Sequence, residues 1–398
     1  MRIGVHDYAG HPFQVQLSRE LARRGHQVIH YYCGHNNTPK GNLLRHVDDP
    51  ERFRIKPIYT RNKLQKYSLF NRWRQEIEYG NLLVKEINNA RIEVILSANT
   101  PLDSQRIILS NCKKNAVPLI FWVQDLNGRA AYKILADKLP LLGKLIGNYH
   151  IFLENKLLNQ SDGVILISED FPARIKPWLR ADAKLWVIPN WAPISDFPVK
   201  RKENDWAKLH NLTHRFCFLY TGTLGMKHNP ELLLRLAQQF QAHKNVCVAI
   251  ISEGPGAEWL SRKKTEHQLT NLEIFPYQPY ERMPEVLASG DVLVTILNLD
   301  AGEFSVPSKV LTYMCAEKPQ LLAISSNNLA ARIINEQKAG LVTPPNDIVA
   351  FLQAAKILYE NQFDRTLFGR NARAYAEKAF NIQQITDQFE QAITQIMG

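Results

Sequence analysis

The chain has 398 residues, and its composition excludes several classes of protein. Hydrophobic residues make up 45% and charged residues 22%, which is typical of a globular protein, and the length favours two domains over one core. No apolar run reaches the roughly 18 residues that a membrane-spanning helix needs, and the first residues predict a β-strand instead of a signal peptide. We therefore expect a cytoplasmic protein.

The cysteines and histidines indicate neither disulfides nor a metal site. The five cysteines are odd in number, widely spaced and mostly set among apolar residues, a pattern that favours buried thiols. No cluster of cysteine or histidine has metal-ligand spacing. The sequence therefore predicts no bound metal and no required cofactor.

The net charge of +11 is concentrated in the first half of the chain. Residues 1–190 hold 28 of the 49 Lys and Arg but only 17 of the 38 Asp and Glu, which leaves 21 of each sign elsewhere. Residues 52–75 contain eight basic and five aromatic residues and no acidic residue. This mixture suits an anionic membrane surface or a nucleic acid, and a solvated basic loop is the plain alternative. Residues 133–146, basic and apolar with a proline, predict either a membrane-interface segment or a buried helix pair.

Short apolar runs alternate with helical patterns along the chain, which predicts an α/β protein with two doubly wound, Rossmann-like domains. The predicted strands of the first domain are 2–6, 27–33, 94–98, 118–123, 163–167 and 185–189. Those of the second are 216–221, 246–252, 272–275, 292–296, 320–324 and 340–342. A polar, proline-containing linker at 192–205 separates domain 1–191 from domain 206–375. Two helices are predicted near the end, and the last one, in 376–398, caps the second domain or returns to the first.

The most informative segment is a glycine loop between a strand and a helix, at residues 220–231. Gly222 and Gly225 permit a tight turn, and Asn229 with the proline after it marks a helix start. The unpaired amides and partial positive charge of a helix N-terminus suit a diphosphate, and Lys227 would add a full charge. An ordinary strand-to-helix turn is the alternative.

Other polar segments are predicted at the same sheet edge. In the second domain they are residues 252–258, 275–280 and 300–319. In the first domain the turn after the first strand contains Gly10 and His11 and is expected to face a cleft between the domains, on the acceptor side. Ligands of open α/β sheets bind at such edges.

This ordered set of segments resembles the retaining glycosyltransferases of family 4, which have the GT-B architecture. Residues 123–126, 187–191, 307–309 and 339–347 extend the resemblance over nearly the whole chain and favour the bacterial polysaccharide branch that includes colanic-acid-type transferases. The resemblance implies transfer of a hexose or N-acetylated sugar from a UDP- or GDP-sugar to a glycan or lipid-linked glycan. Together with the basic first half of the chain, a lipid-linked acceptor predicts a peripheral position on the inner face of the cytoplasmic membrane, and no nucleic acid is expected as partner.

The resemblance also implies a donor site in the second domain. Lys227 matches the family's phosphate-binding lysine, whereas Thr223 replaces an arginine that many members carry. Lys309 is a candidate for the missing charge, with a surface helix lysine as the alternative. The expected donor-binding residues are Gly222, Thr223, Leu224, Lys227, Glu253, Gly254, Pro255, Tyr277, Gln278, Phe304, Ser305, Val306, Ser308, Lys309 and Thr312.

The catalytic residues that the resemblance implies depart from the family pattern. Members commonly carry two glutamates eight positions apart, but those positions hold Phe304 and Thr312 here, with Glu303 beside the first. Glu303 is expected to support the transferred sugar, or else to be a solvated loop carboxylate. A sugar-contacting histidine of the first domain is replaced by Gln124 and Asp125.

Gln124 can hydrogen-bond hydroxyls but cannot serve as a base, which suits a retaining mechanism in which the leaving phosphate oxygen accepts the acceptor's proton. Asp125 either orients the acceptor or caps the turn that follows. Helix termini and lysines for the pyrophosphate predict catalysis without added divalent metal.

Two other functions remain open at this level. A nucleotide-sugar epimerase of similar fold would need paired acid and base carboxylates, which the sequence does not reveal. A nucleic-acid-binding protein would fit the basic first half, but no groove-reading or RNA-binding motif is present.

Overall fold

The computed structural model describes residues 1–35, 40–62, 69–138, 141–225, 228–299 and 306–398. They form two compact units, Met1–Asn190 with Ile382–Gly398, and Trp191–Asn381. Each unit contains one parallel sheet with helices around it. The predicted α/β class with two Rossmann-like sheets is confirmed.

The first sheet has seven strands in the order β3-β2-β1-β4-β5-β6-β7, and all neighbouring strands are parallel. Their bounds are β1 Arg2–Asp7, β2 Gln27–Cys33, β3 Phe53–Ile58, β4 Val94–Ala98, β5 Leu119–Val123, β6 Gly163–Leu166 and β7 Leu185–Val187. The central strands β4 and β5 are buried throughout, as expected where helices cover both faces. The strand order reverses between β1 and β4, which creates a switch point at their carboxyl ends.

Strand β3 is absent from the predicted set, which assigned its residues to a basic stretch. Its apolar ends, Phe53 and Ile58, are buried, while Arg54 and Lys56 are exposed. It pairs with β2 alone and carries Pro57, as edge strands do. Charged residues on an edge strand hide the apolar pattern on which the prediction depended.

The helices of the first unit include the last one in the chain. They are α1 Pro12–Arg23, α2 Leu69–Asn89, α3 Leu102–Lys114, α4 Asn127–Lys138, α5 Leu142–Gln160, α6 Phe171–Ile175 and α15 Ile382–Met397. Arg24 donates to Asp387 (2.6 Å) and Glu390 (2.5 Å) of α15, and the rings of Trp122 and Phe389 lie 4.7 Å apart. The C-terminal helix thus completes the core of this unit.

The second sheet has six parallel strands in the order β10-β9-β8-β11-β12-β13. They are β8 Phe216–Thr221, β9 Val246–Ile251, β10 Leu272–Phe275, β11 Val292–Ile296, β12 Gln320–Ala323 and β13 Gly340–Thr343, so all six predicted strands are present. Its helices are α7 Asp205–Leu209, α8 Glu231–Gln239, α9 Pro255–Glu266, α10 Met283–Ser289, α11 Lys309–Cys315, α12 Leu329–Glu336, α13 Ile348–Glu360 and α14 Gln362–Ala379. The switch point lies between β8 and β11.

All five cysteines are buried and free, which confirms the prediction of thiols. Among the helices of the described ranges, none combines the length and the hydropathy that a bilayer crossing requires. No group of three or more His, Cys, Asp or Glu that could hold a metal ion occurs in the same part of the chain.

Candidate functional site

Polar residues from three strand ends of the first sheet form one cluster. Asp7 ends β1, Asn99 follows β4, and Gln124 and Asp125 follow β5. Because these strands are parallel neighbours, their carboxyl ends meet at one edge. His11, on the turn after β1, reaches the same cluster. Four of the residues predicted for the acceptor side or for catalysis in this domain, Gly10, His11, Gln124 and Asp125, therefore belong to one edge.

The buried carboxylate of Asp7 organises this cluster. It accepts hydrogen bonds from the backbone amides of Ala9 (3.1 Å) and His11 and from the side chain of Asn99 (3.1 Å). With its amide nitrogen turned towards the carboxylate, Gln14 lies 2.9 and 2.7 Å from the two oxygens. Hydrogen bonds to an ionised acceptor are among the stronger ones in proteins, so Asp7 fixes the turn.

Gly10 has a structural reason to be glycine. Its φ of +79° lies in the left-handed region, and an added Cβ would approach Leu43 Cδ1 to 2.8 Å. Its carbonyl oxygen accepts a hydrogen bond from the amide of Gly41 (2.8 Å). The conformation of Gly10 therefore holds the turn on which His11 is carried.

Asp7 and His11 stabilise each other's charged forms. Burial tends to raise the pKa of Asp7, but the charge and hydrogen bonds of His11 outweigh it, and the pKa is lowered. Burial tends to lower the pKa of His11, but Asp7, with a smaller contribution from Asp125, raises it. Nδ1 of His11 lies 3.3 Å from Asp7 Oδ1, and 31% of the histidine side chain is exposed. His11 is thus a partly accessible side chain whose protonated form is favoured by the buried carboxylate of Asp7.

Gln124 is paired with Asn190, which follows β7. Asn190 Nδ2 donates to Gln124 Oε1 at 2.6 Å. Gln124 Nε2 and Asn190 Oδ1 are buried and have no hydrogen-bond partner among the described residues. Buried polar atoms are nearly always paired, so these two atoms mark a place where a hydroxyl of a ligand or a water is expected. Asn190 entered the sequence analysis only as part of a motif.

In the second unit, the turn after β8 is held by its own residues. Gly222 has φ +101°, and its amide donates to Ile251 O at 3.0 Å. Tyr220 Oη donates to the carbonyl of Thr223 (2.9 Å), and the amide of Gly225 donates to His228 Nδ1 (3.1 Å). Lys227 lies outside the described residues, so its phosphate-binding role stays a prediction.

The turn after β8 lies directly against the start of α9. The amide of Gly256 donates to the carbonyl of Leu224 at 3.1 Å, and a Cβ on Gly256 would overlap that carbonyl. Gly254, with φ +97°, precedes Pro255 at the first position of the helix. Leu224, Gly254 and Pro255, all predicted for the donor site, thus come together at a helix N-terminus, where anions are stabilised.

Three more of the predicted donor-site residues contact one another. Thr223 Oγ1 lies 3.1 Å from Tyr277 Oη, and the amide of Tyr277 donates to Glu253 Oε1 at 3.1 Å. Gln278 is engaged elsewhere, because it accepts from Trp206 Nε1 (2.9 Å) and donates to its own loop at Pro276 O (3.0 Å). We therefore expect Gln278 to shape this loop.

Lys309, the first residue of α11, points its amine at the glycine turn. Nζ lies 3.7 Å from the ring centroid of Tyr220 and 3.4 Å from where a Cβ of Gly222 would stand. This nitrogen is buried and has no hydrogen-bond partner among the described residues. Burial lowers its pKa to about 7. A solvated surface lysine, the alternative reading, does not describe this amine.

The rest of the predicted loop is only partly described. Val306 is half-buried and Ser308 exposed, and the Ser308 carbonyl accepts from the amide of Thr312 at 3.4 Å. Thr312 is half-buried on the first turns of α11. Glu303, Phe304 and Ser305 lie outside the described residues, so their expected roles stay predictions.

Sequence reasoning missed Asp7, Asn99 and Tyr313. Tyr313 Oη accepts from the amide of Thr221 (2.8 Å) and so fixes the end of β8. Asn99 has φ +52°, a left-handed conformation that asparagine tolerates better than most residues. The available signal for Asp7 and Asn99 was a polar residue at or just after the end of an apolar strand.

Two family models match the chain, one for each half. The model described as Glycosyltransferase Family 4 matches residues 13–195, and the one described as Glycosyl transferases group 1 matches residues 201–375. Between them they cover most of both units. The order of the two matches is the order of the two sheets.

Known proteins resemble the chain over part or all of its length. The probable glycosyltransferase WbjE of Pseudomonas aeruginosa is 28% identical over 49% of this chain and 48% of its own length. The putative colanic acid biosynthesis glycosyl transferase WcaI of Escherichia coli is 26% identical over 31% of each. The chain thus spans less than half of these curated relatives. Anabaena HepE, solved in complex with UDP-glucose, shares the fold with a TM-score of 0.74 at 13% identity, over 99% of this chain and 100% of that one.

The expected resemblance is confirmed by these matches. Both halves match glycosyltransferase families in the expected order, and the fold matches over the whole chain. The chain belongs to the family 4 glycosyltransferases of the GT-B fold.

Proposed function

We propose that this protein transfers a sugar, with retention of anomeric configuration, from a UDP- or GDP-sugar to a growing glycan in polysaccharide biosynthesis. The observation that carries the proposal is the buried amine of Lys309 beside the glycine turn, without an acceptor among the described residues. An unpaired buried cation is costly, and a diphosphate is the anion that this kind of turn accommodates.

The donor's diphosphate interacts with the second unit. The turn after β8 and the N-terminus of α9 offer backbone dipoles, and Lys309 and the predicted Lys227 offer charge. Negative charge grows on the diphosphate as the sugar departs, so groups aimed at it stabilise the transition state more than the ground state. Tyr277 and Thr223 would contact hydroxyls of the nucleoside or the sugar, and Thr312 the ribose. Glu303, which lies outside the described residues, stays the predicted support of the sugar.

The acceptor interacts with the polar cluster of the first unit. Gln124 Nε2 donates to a hydroxyl, and His11, held by Asp7, orients an oxygen of the acceptor glycan. Asp125 assists in that orientation. Gln124 cannot act as a base, which suits a retaining mechanism in which the departing phosphate oxygen takes the acceptor's proton.

A glycan linked to a lipid is the acceptor that best fits the basic first half of the chain. Such an acceptor would place the protein at the cytoplasmic face of a membrane, as a peripheral protein. The two other functions are not favoured. The family matches support a glycosyltransferase and not an epimerase. The basic residues of the first half can bind anionic lipid, so they do not require a nucleic acid as partner.

A panel of nucleotide sugars, offered with and without lipid extract from a polysaccharide-producing bacterium, tests the proposal. We expect donor consumption only with the extract, and proton NMR of the product should show the donor's anomeric configuration. Conversion of a nucleotide sugar into its epimer without any acceptor would contradict transfer. Product with inverted configuration would contradict the mechanism alone.

A further inference from the structure

Helix α5 exposes large apolar residues in addition to those that it buries. Its inner face packs through Gly147, where an added Cβ would lie 2.6 Å from Tyr132 Cα of α4, and through the buried side chains of Leu153, Leu157 and Leu158. Leu145 and Phe152, in contrast, are 69% and 64% exposed. The face that a surface helix turns to water is normally polar. The described parts of α4 and α5 thus form a tightly packed helix pair, and large apolar side chains of α5 remain exposed on its outer face.

The charges on that outer face are all positive. Between residues 141 and 156 the exposed charged side chains are Lys144 and Lys156. The one acidic residue of this segment, Glu154, is buried and accepts from the amide of Gly128 at 2.9 Å. An outer face that combines large apolar side chains with lysines, and no carboxylate, suits a boundary between hydrocarbon and phosphate.

Hydrogen bonds connect α5 through α3 to the start of α2. Tyr149 Oη donates to Asp103 Oδ1 (2.9 Å) on α3, and Ser104 Oγ of α3 donates to the carbonyl of Glu76 (2.6 Å) on α2. Burial is the main cause that lowers the pKa of His150 on α5, and the positive charge of Arg72 on α2 lowers that pKa further. The two helix segments are therefore neighbours.

The start of α2 has the same composition as the outer face of α5. Phe70 and Trp73 are 64% and 46% exposed, and the Arg74 guanidinium lies 5.8 Å from the Phe70 ring centroid. Glu76 and Asp103 of this region are buried, and Glu78 is half-buried and accepts a hydrogen bond from the amide of Arg61 at 2.9 Å. We call residues 70–74 together with the exposed side chains of residues 141–156 the α2–α5 surface.

We propose that the α2–α5 surface inserts into the interfacial layer of an anionic bilayer. Its apolar side chains would lie among the upper acyl chains, and its lysines and arginines at the level of the lipid phosphates. Positive charge without exposed carboxylates complements anionic headgroups. Groups of exposed large apolar side chains are typical of sites that bind a protein or a membrane. This proposal rests on the proposed function only in that a lipid-linked acceptor would bring the protein to a membrane. Vesicle binding is measured without donor or acceptor, so it tests the surface independently of sugar transfer.

Only part of the basic stretch 52–75, which the sequence predicts as a membrane-binding segment, belongs to the α2–α5 surface. Its first residues, just before and on β3, contact other parts of the protein: Arg52 donates to the carbonyl of Gly25 (2.9 Å), and Lys56 lies 3.4 Å from Glu86. The segment 70–74 belongs to the surface. Apolar insertion, in addition to charge, is expected to determine binding.

Co-sedimentation with vesicles tests the surface, with the variant Leu142→Ser, Leu145→Ser, Phe152→Ser. Wild type should bind phosphatidylcholine vesicles that contain phosphatidylglycerol, and the variant should bind them at least about tenfold more weakly, since burial of even one such side chain is worth that factor. Binding should fall as salt rises, because the Debye length shortens from about 8 Å to about 3 Å. Wild-type protein that ignores anionic vesicles, or binds pure phosphatidylcholine equally well, would overturn the proposal.

A matched control is available in the second unit. Leu209, Val349 and Phe363 are 72%, 75% and 74% exposed, so their replacement by serine removes a similar apolar area elsewhere. This control should bind vesicles like wild type. Both triple variants should keep the melting temperature and the UDP affinity of wild type. Equal loss of vesicle binding in both variants would overturn the proposal, whereas absent UDP binding in all three proteins would instead count against the proposed function.

A fluorescent label locates the insertion. All five native cysteines are buried, so Leu145→Cys can be labelled selectively with an environment-sensitive dye, with Phe363→Cys as control. The dye at residue 145 should shift to the blue with anionic vesicles, and the dye at residue 363 should not. A second copy of the chain could cover the surface instead. In that case the dye at residue 145 would shift to the blue as protein concentration rises without lipid, and the Leu142→Ser, Leu145→Ser, Phe152→Ser variant would not form the dimer that wild type forms; this result would overturn the proposal.

Discussion

The polar cluster of the first unit and the glycine turn of the second handle charge in opposite ways. In the first, the carboxylate of Asp7 is surrounded by donors and lies beside His11. In the second, the amine of Lys309 is buried against an aromatic ring with no acceptor among the described residues. The described residues thus pair the carboxylate but not the amine, and under the proposed function a bound diphosphate would pair the amine.

This difference indicates how each site affects the stability of the unliganded protein. A paired carboxylate stabilises the fold and holds the turn ready before any ligand binds. A buried amine without an acceptor destabilises the unliganded protein, and under the proposed function an anionic ligand would recover that free energy, as is common where function conflicts with stability. Substitutions at the two positions should therefore have opposite effects on stability.

The largest expected effect is that of Asp7→Ala. The free energy of unfolding should fall by about 3–5 kcal/mol, because the backbone donors, Asn99 and His11 all lose their buried acceptor. Chemical denaturation followed by circular dichroism measures it. Asp48→Ala, which removes an exposed carboxylate of the same unit, should stay within about 0.5 kcal/mol of wild type. Equal effects of the two substitutions would show that Asp7 does not organise the turn.

Lys309→Met should weaken the binding of UDP or GDP by about 1.5–3 kcal/mol, the range of a hydrogen bond to a charged group. Methionine keeps much of the length and apolar contact of the stem but lacks the charge. Titration calorimetry gives the affinity. Lys356→Met, on the exposed part of α13, serves as the control and should bind like wild type. Unchanged affinity in Lys309→Met would remove this amine from the donor site.

The same substitution should stabilise the unliganded protein. The pKa of Lys309 is lowered to about 7 from 10.5, so below pH 7 the folded protein carries the full cost of charging a buried amine. Between about pH 7 and 10.5 the unfolded chain binds more protons than the folded protein, and this group makes stability rise with pH. Lys309→Met should thus be more stable than wild type at pH 7, on the order of 4 kcal/mol, and the difference should vanish near pH 10.5. Denaturation curves that run parallel at all pH values would refute this.

Whether a feature of the fold or of the candidate site could be predicted from the sequence depends on how far apart in the chain the interacting residues are. Strands buried on both faces are continuous apolar runs, and all but the basic edge strand β3 were recognisable. The residues at the glycine turn were predictable because turns and helix starts are local patterns. The amine of Lys309 under Tyr220 was not, since it joins two segments far apart in the chain. Asp7 was missed for a similar reason: its role depends on Asn99, which only the sheet order brings close.

The smallest expected effect is that of His11→Asn, which distinguishes the contribution of His11 to stability from that of Asp7. The raised pKa of His11 means that the folded protein holds this proton more tightly than the unfolded chain. The resulting stability is fully present below about pH 6.5 and is lost as pH rises through the folded pKa. His11→Asn keeps a hydrogen-bonding side chain but has no charge to lose, so the part of the stability that falls as pH rises through the folded pKa of His11 should be absent from this variant. Denaturation of wild type and variant between pH 6 and 9 measures the difference. Identical slopes would mean that Asp7 is satisfied by its amide donors alone, and that the histidine is free to serve the acceptor in its neutral form.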